Sequence, residues 1–196
     1  VMFNFLKPKV TTTLTAHLPT CLLAQDRVQR YDAPVQKWLA AEGLGNVTSA
    51  ASAVTAEGRG TASTVVFTVT GLDGKLLDRL VAHFDSLGAP KGSWFTDAEG
   101  KELRRFGTTE VVVMELDPAV LPAGQTAAQV AATLMGPIEE RVSSAGRLQG
   151  TGTFPNAVEL YFHCRSPRIV EAALAELLAH HPLCRNARVY RMSVDA

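Results

Sequence analysis

Val65-Val66-Phe67-Thr68-Val69 and Val158-Glu159-Leu160-Tyr161-Phe162 decide the fold. The two β-rich runs lie 93 residues apart, and the same shift sets Asp73 on Ser166 without a gap. It also sets Leu76, Leu77, Leu80, Val81 and Phe84 on Ile169, Val170, Ala173, Leu174 and Leu177. A second shift, of 103 residues, puts Pro34 on Pro137, Gly43 on Gly146 and Thr48 on Thr151. The difference between the shifts predicts an insertion in the first half, between its second and third strands. Self-similarity at a fixed spacing is the mark of a repeated structural unit.

The second half reads more clearly. Glu110–Leu116 is a β-rich strand candidate, with Pro118 and Pro122 punctuating the link that follows. Gln125–Ser144 has helical composition, with Val130, Leu134, Ile138 and Val142 at every fourth position. Gly136-Pro137 predicts a kink or restart there, because proline lacks the amide donor and clashes with the preceding turn. Leu148–Phe154 and Ala157–Cys164 form a hairpin around Pro155-Asn156. Ser166-Pro167 starts a helix, with serine as cap. Its inward stripe is Ile169, Val170, Ala173, Leu174, Leu177 and Leu178, ending before Pro182. Ala187–Val194 closes the unit as a strand.

The first half follows the same order. Val10–Leu18 is a Thr-rich strand, and Thr20–Ala33 a loop with a helical turn. Pro34–Glu42 is a helix with Val35, Trp38 and Leu39 inward, stopped by Gly43. Asn46–Val54 and Ser63–Thr70 are strands separated by the polar insertion Ala56-Glu57-Gly58-Arg59-Gly60. Asp73 caps a helix over Gly74–Leu87, which Gly88-Ala89-Pro90 terminates. Ser93–Thr96, the turn Asp97–Gly100 and Lys101–Phe106 complete it. The expectation is an α+β chain of tandem duplicated ferredoxin-like (βαββαβ) units packed as one body. The first copy with its junction hairpin covers 10–108, and the second covers 109–196.

Composition narrows the chemistry. Lys plus Arg equals Asp plus Glu at 19 each, so no global field draws nucleic acid or anionic membrane. No apolar run approaches the roughly 20 residues of a bilayer span. Cys21, Cys164 and Cys184 are scattered and form neither a disulfide framework nor a CxxC clamp. That pattern favours a reducing, cytoplasmic setting. The stretch Thr11–Ala24 after Lys7 and Lys9 is too rich in Thr, and too broken by His17 and Pro19, for an export signal.

Few motifs offer chemistry. Gly43-Leu44-Gly45 follows a helix and leads into a strand, the reverse of a dinucleotide fingerprint, so it reads as a helix stop. Gly146, Gly150 and Gly152 read as the matching stop and a twisted strand. His180-His181-Pro182-Leu183-Cys184 groups ligand-type residues, but no second cluster completes a tetrahedral zinc set, so no metal or cofactor is expected. His163 and Cys164 are strand neighbours and face opposite ways, which excludes a direct nucleophile–base pair. Glu139 and Glu140 are adjacent on a helix and do not face each other. One surface concentrates charge beside aromatics: Trp94, Asp97, Glu99, Lys101, Arg104, Arg105 and Phe106, around the junction hairpin. It is the candidate partner-binding surface, with Trp94 or Phe106 as anchor and the charges setting register.

Gly43-Leu44-Gly45-Asn46-Val47-Thr48, Leu87-Gly88-Ala89-Pro90-Lys91-Gly92-Ser93 and Pro182-Leu183-Cys184-Arg185-Asn186-Ala187-Arg188-Val189 resemble a group of bacterial two-repeat α+β hypothetical proteins. Where similar proteins carry a glycine run after the Val-Thr, this chain has Ser49-Ala50-Ala51. Such proteins are similar in class to immunity proteins that neutralise secreted polymorphic toxins. The resemblance implies a non-enzymatic, protein-binding role with a protein partner, and neither nucleic acid nor membrane. The alternative is a small-molecule or nucleotide-binding regulatory protein with a pocket between the copies.

Overall fold

The computed structural model describes residues 10–142 and 145–192. The ends predicted at Ser144 and Val194 lie outside these residues, as do Lys7, Lys9 and the side chains of Glu139 and Glu140. The chain is α+β, with two antiparallel sheets.

The first sheet comprises β1 (Thr11–Leu18), β2 (Gly45–Val54), β3 (Gly60–Thr70), β4 (Ser93–Thr96) and β5 (Glu102–Phe106), in the order β2-β3-β1-β4-β5. Alternation along β3 fixes its faces. Val65, Phe67 and Val69 are buried, while Thr64, Val66 and Thr68 are half-exposed. The buried row meets helix α3 (Gly74–Ser86) through Leu76, Leu80 and Phe84. As expected, Asp73 begins that helix: its Oδ1 accepts the Leu76 amide at 2.8 Å.

The stretch predicted as a loop with a helical turn is helical from Ala24 onward. Helix α1 (Ala24–Arg27) passes through one π turn, Val28–Asp32, into α2 (Ala33–Ala41). The helical path therefore begins ten residues before Pro34. A π turn widens the backbone just where proline withholds its amide. Buried Tyr31, Val35 and Leu39 anchor the path to the core, while Trp38 is only half-buried. Gly43, at φ +60°, ends α2, and the Leu44 amide donates back to the Leu39 carbonyl at 2.9 Å.

The second sheet comprises β6 (Glu110–Leu116), β7 (Gly146–Phe154), β8 (Ala157–Cys164) and β9 (Arg188–Arg191), in the order β7-β8-β6-β9. Counted within each sheet, the order second, third, first, fourth recurs; the first sheet adds β5 outside it. Helices α4 (Ala127–Val142) and α5 (Pro167–His180) cover one face. Every residue of β8 is buried, because the other face packs against the first half of the chain.

Helix α4 does not restart at Gly136-Pro137 but runs on as one element, held by buried Val130, Leu134, Ile138 and Val142. Two expectations about α5 fail. Ser166 precedes α5 but makes no side-chain cap bond; its ψ of 88° departs from the extended geometry a cap uses. Ile169 is 48% exposed, and the buried row is Val170, Leu174 and Leu177. The helix starts keep the 93-residue spacing, but Leu76 and Leu80 find their buried counterparts at Val170 and Leu174, 94 residues on.

The insertion lies where expected. The β2–β3 hairpin closes over residues 55–59, whereas β7–β8 turns in two, Pro155-Asn156. Its longer arm carries Arg59 onto the second sheet. Among the described residues, no helix is long and apolar enough to cross a membrane.

Candidate functional site

The junction hairpin divides its candidate residues among three environments. Antiparallel pairing sets Trp94 opposite Arg105 and Phe95 opposite Arg104. Phe95 points into the core, so Trp94 and Arg105 point to the sheet face away from the helices. There the Trp94 ring is half-exposed and stacks on His17, with centroids 4.7 Å apart and planes 5° apart. His17 Nε2 lies 3.0 Å from the Thr96 hydroxyl, and burial lowers the imidazole's pKa. Arg105 donates to both carboxylate oxygens of Glu102, at 2.9 and 3.0 Å. Thr13, Thr15, Thr64, Val66 and Thr68, all half-exposed, extend this face.

Asp97, Glu99 and Lys101 sit at the turn. Asp97 Oδ1 accepts the amides of Glu99 at 3.1 Å and Lys101 at 2.8 Å, which shapes the tip. Arg104 lies on the helix side, donating to Asp78 of α3 at 2.6 Å. Phe106 is no anchor. It is 8% exposed and stacks on Phe95 at 4.3 Å, with Phe84 at 5.4 Å, because its partner across the hairpin is the buried Ser93.

A second polar concentration lies where the two halves meet. The Gly88 carbonyl accepts from Tyr31 Oη at 3.2 Å, Thr109 Oγ1 at 2.9 Å and His163 Nδ1 at 3.0 Å. A carbonyl can only accept, so the His163 proton sits on Nδ1 and Nε2 faces the Thr20 hydroxyl at 3.2 Å. Burial pushes this imidazole down to about 4, with Arg147 and Arg30 acting in the same direction. Next door, Arg147 Nη2 donates to the Leu87 carbonyl at 2.7 Å. The Leu87-Gly88 turn, read from sequence as a helix terminator, is thus also the docking point of the second sheet. A backbone carbonyl has no sequence signature, so this role was invisible there. Beside it opens a cleft of about 240 Å³, bordered by Asp85, Ser86, Thr109, Arg147, His163 and Arg165.

A third element was missed although it left a signal. Glu159 is a carboxylate inside an apolar strand, 2% exposed. It accepts from Tyr161 Oη at 2.7 Å and meets Arg59 Nε at 2.9 Å, an ion pair whose angle falls short of a hydrogen bond. The Arg59 guanidinium lies 5.3 Å above the Phe154 ring.

The histidines of the His180–Cys184 cluster have local partners. His180 Nδ1 lies 3.0 Å from the Glu176 carbonyl, and His181 Nδ1 accepts the Leu183 amide at 3.2 Å. Cys21, Cys164 and Cys184 are buried, which pushes their thiols up to about 12, 11 and 11. That works against the thiolate a nucleophile requires. Cys164 and His163 face opposite sides of β8, as their adjacency dictates. Among the described residues, no group of three His, Cys, Asp or Glu side chains converges on a metal position.

No protein-family model matches the chain, and no curated protein is significantly similar to it. Among solved structures, a novel heme-binding protein from Thermus thermophilus is 10% identical, with 93% of this chain and 90% of that chain covered and a TM-score of 0.28. A dye-decolorizing protein from V. cholerae is 11% identical, with 93% and 91% covered and a TM-score of 0.27. Scores this low bear on neither the fold nor the chemistry of this chain.

Proposed function

We propose that the chain is a non-enzymatic protein-binding protein of two ferredoxin-like copies, and that it neutralises a bacterial toxin by covering its active site. The duplication rests on the shared strand order of the two sheets and on the 93-residue spacing of the α3 and α5 starts. The binding role rests on one observation: Trp94, half-exposed and held flat against His17, on a sheet face bordered by Arg105. A rigid aromatic that loses little freedom on contact is the kind of residue that anchors an interface. Arg105 and Glu102 supply the charge that sets register and association rate. The product of the gene adjoining this one is the partner to test, by co-purification and titration. Trp94→Ala is expected to weaken the complex tenfold or more, beyond what its loss of packing on His17 costs the fold, and Arg105→Glu to slow association with little change in melting. Equal affinity after both changes removes this face from the reading.

The alternative, a small-molecule regulatory protein, draws on one observation, the cleft between the halves. Its volume of about 240 Å³ is below the roughly 300 Å³ at which drug-sized pockets begin, and too small for a nucleotide. Arg147 and Arg165 on its border suit a small anion. Titration with inorganic phosphate, comparing the parent with Arg165→Ala, tests it. Absence of heat in the parent ends that reading.

A further inference from the structure

Each of the two sheets has two edges, and three of the four are protected. The β5 edge is five residues long and carries Glu102, Arg104 and Arg105. The β9 edge is four residues long, with Arg188 and Arg191. The β7 edge is closed by the first half of the chain: Asp26 Oδ2 accepts the Thr151 amide at 3.1 Å, and Arg30 donates to the Gln149 and Leu148 carbonyls at 3.1 and 3.3 Å. Gly150 lets this helical segment approach, since a Cβ there would stand 2.7 Å from Asp26 Oδ2. These are the devices by which proteins keep sheet edges from pairing: short strands, charge, and cover.

The fourth edge, β2, is long and has little cover: Arg27 Nη1 donates to the Ser52 hydroxyl at 2.9 Å, but the backbone beyond Thr48 is left open. Gly45–Val54 is ten residues long, without a charged residue or proline. Gln36 Oε1 takes the Val47 amide at 2.7 Å, next to the bulge at Thr48. Beyond it, Ser49–Ala53 pairs with β3 in unbroken register, and no other segment among the described residues bonds to its backbone. Ser49, Ala51 and Ala53 are exposed, and Val54 is 54% exposed. Position for position β2 corresponds to the capped β7, so the open edge is a feature of this strand and not of the architecture.

We propose that β2 pairs antiparallel with β2 of a second copy across a two-fold axis at Ala51, joining two five-stranded sheets into one of ten. The occupant follows from self-complementarity. A two-fold axis at Ala51 sets Ser49 opposite Ala53, Ala50 opposite Ser52 and Ala51 opposite itself, all small and uncharged. No charged residue of β2 meets its like across the axis, Arg27 beside Ser52 is neutralised by its ion pair with Asp32, and the chain's formal net charge of zero gives two copies no long-range repulsion. The edge lies at the opposite end of the sheet from β5, so the dimer is independent of the toxin-binding reading and leaves Trp94 and Arg105 free.

Sedimentation equilibrium on the full chain tests this with a charge swap. The parent is expected at twice the chain mass. Ala51→Lys and Ala51→Glu, each placing like charges face to face at the axis, are expected to raise the dimer dissociation constant tenfold or more. A mixture of the two variants is expected to recover the dimer. Ala51→Cys is expected to form a covalent dimer under air, since the three native cysteines are buried. A monomeric parent at 100 µM overturns the proposal, as does a dimer that neither charge variant weakens. Exposed Ala51 keeps unfolding from confusing the result, and equal circular-dichroism spectra check it.

Discussion

His163 Nδ1 donates to the Gly88 carbonyl at 3.0 Å, across 75 residues of chain. The bond ties the second sheet to the helix end of the first half, and burial keeps the imidazole that makes it neutral. Burial holds His163 at about 4, against 6.5 for a free imidazole. As pH falls below 6.5 the unfolded chain takes up this proton and the folded chain does not. Stability present above pH 6.5 is therefore lost progressively as pH falls toward 4. At pH 5 the loss is about 2 kcal/mol. Urea unfolding at pH 7.5 and pH 5 measures it. His163→Gln keeps a donor and an acceptor but has no proton to gain, and its stability is expected to change less between the two pH values.

The same carbonyl predicts the cost of side chains in the turn. Gly88 sits at φ +84°, and a Cβ there would stand 3.0 Å from Gln149 Nε2 of the second sheet. Gly100, at φ +81° on the junction hairpin, has open space around it. Gly100→Ala is expected to lose about 1 kcal/mol, the backbone cost alone. Gly88→Ala is expected to lose more, about 2 kcal/mol, because Gln149 must also move. Equal melting temperatures for the two variants would mean that the docking of the halves tolerates the added methyl.

The two helix starts separate as well. Asp73→Ala removes the acceptor of the Leu76 amide and is expected to cost about 1 kcal/mol. Ser166→Ala removes no bond, and Pro167 behind it has no amide to satisfy, so its change is expected to stay within about 0.5 kcal/mol. Thermal melts of both variants decide it.

The strands were legible because β-rich runs bounded by glycine and proline leave few alternatives; Ala157–Cys164 emerged to the residue. The helical stretch from Ala24 to Asp32 was not, since Pro34 reads as a helix start when it lies behind a π turn. Phe106 and Trp94 look alike in sequence as exposed hairpin aromatics. Their opposite fates follow from pairing, Phe106 with buried Ser93 and Trp94 with Arg105. The open β2 edge depends on what caps its counterpart, a tertiary fact that no local pattern carries. Glu159 was within reach: a carboxylate between Val158 and Leu160, on a strand too apolar to have a wet face, demands a cation from elsewhere.

That demand gives the last prediction. Arg59, from the hairpin insertion, meets the Glu159 carboxylate, and the two side chains are 39% and 3% exposed. The carboxylate is buried with Arg59 in place, and Arg59→Ala leaves it with the Tyr161 hydroxyl and whatever water enters the space vacated. Breaking a fully buried pair costs about 3–5 kcal/mol, but water reaches the arginine side here, and about 1–2 kcal/mol is expected. Glu159→Gln keeps the shape and removes the charge, so the Arg59 contact weakens without stranding an ion. The double variant is therefore expected to be more stable than Arg59→Ala alone, by about 1 kcal/mol. Denaturant unfolding of the four proteins completes the cycle. Additive losses would mean that the insertion packs on the second sheet through Phe154 and the backbone, with no contribution from the ion pair.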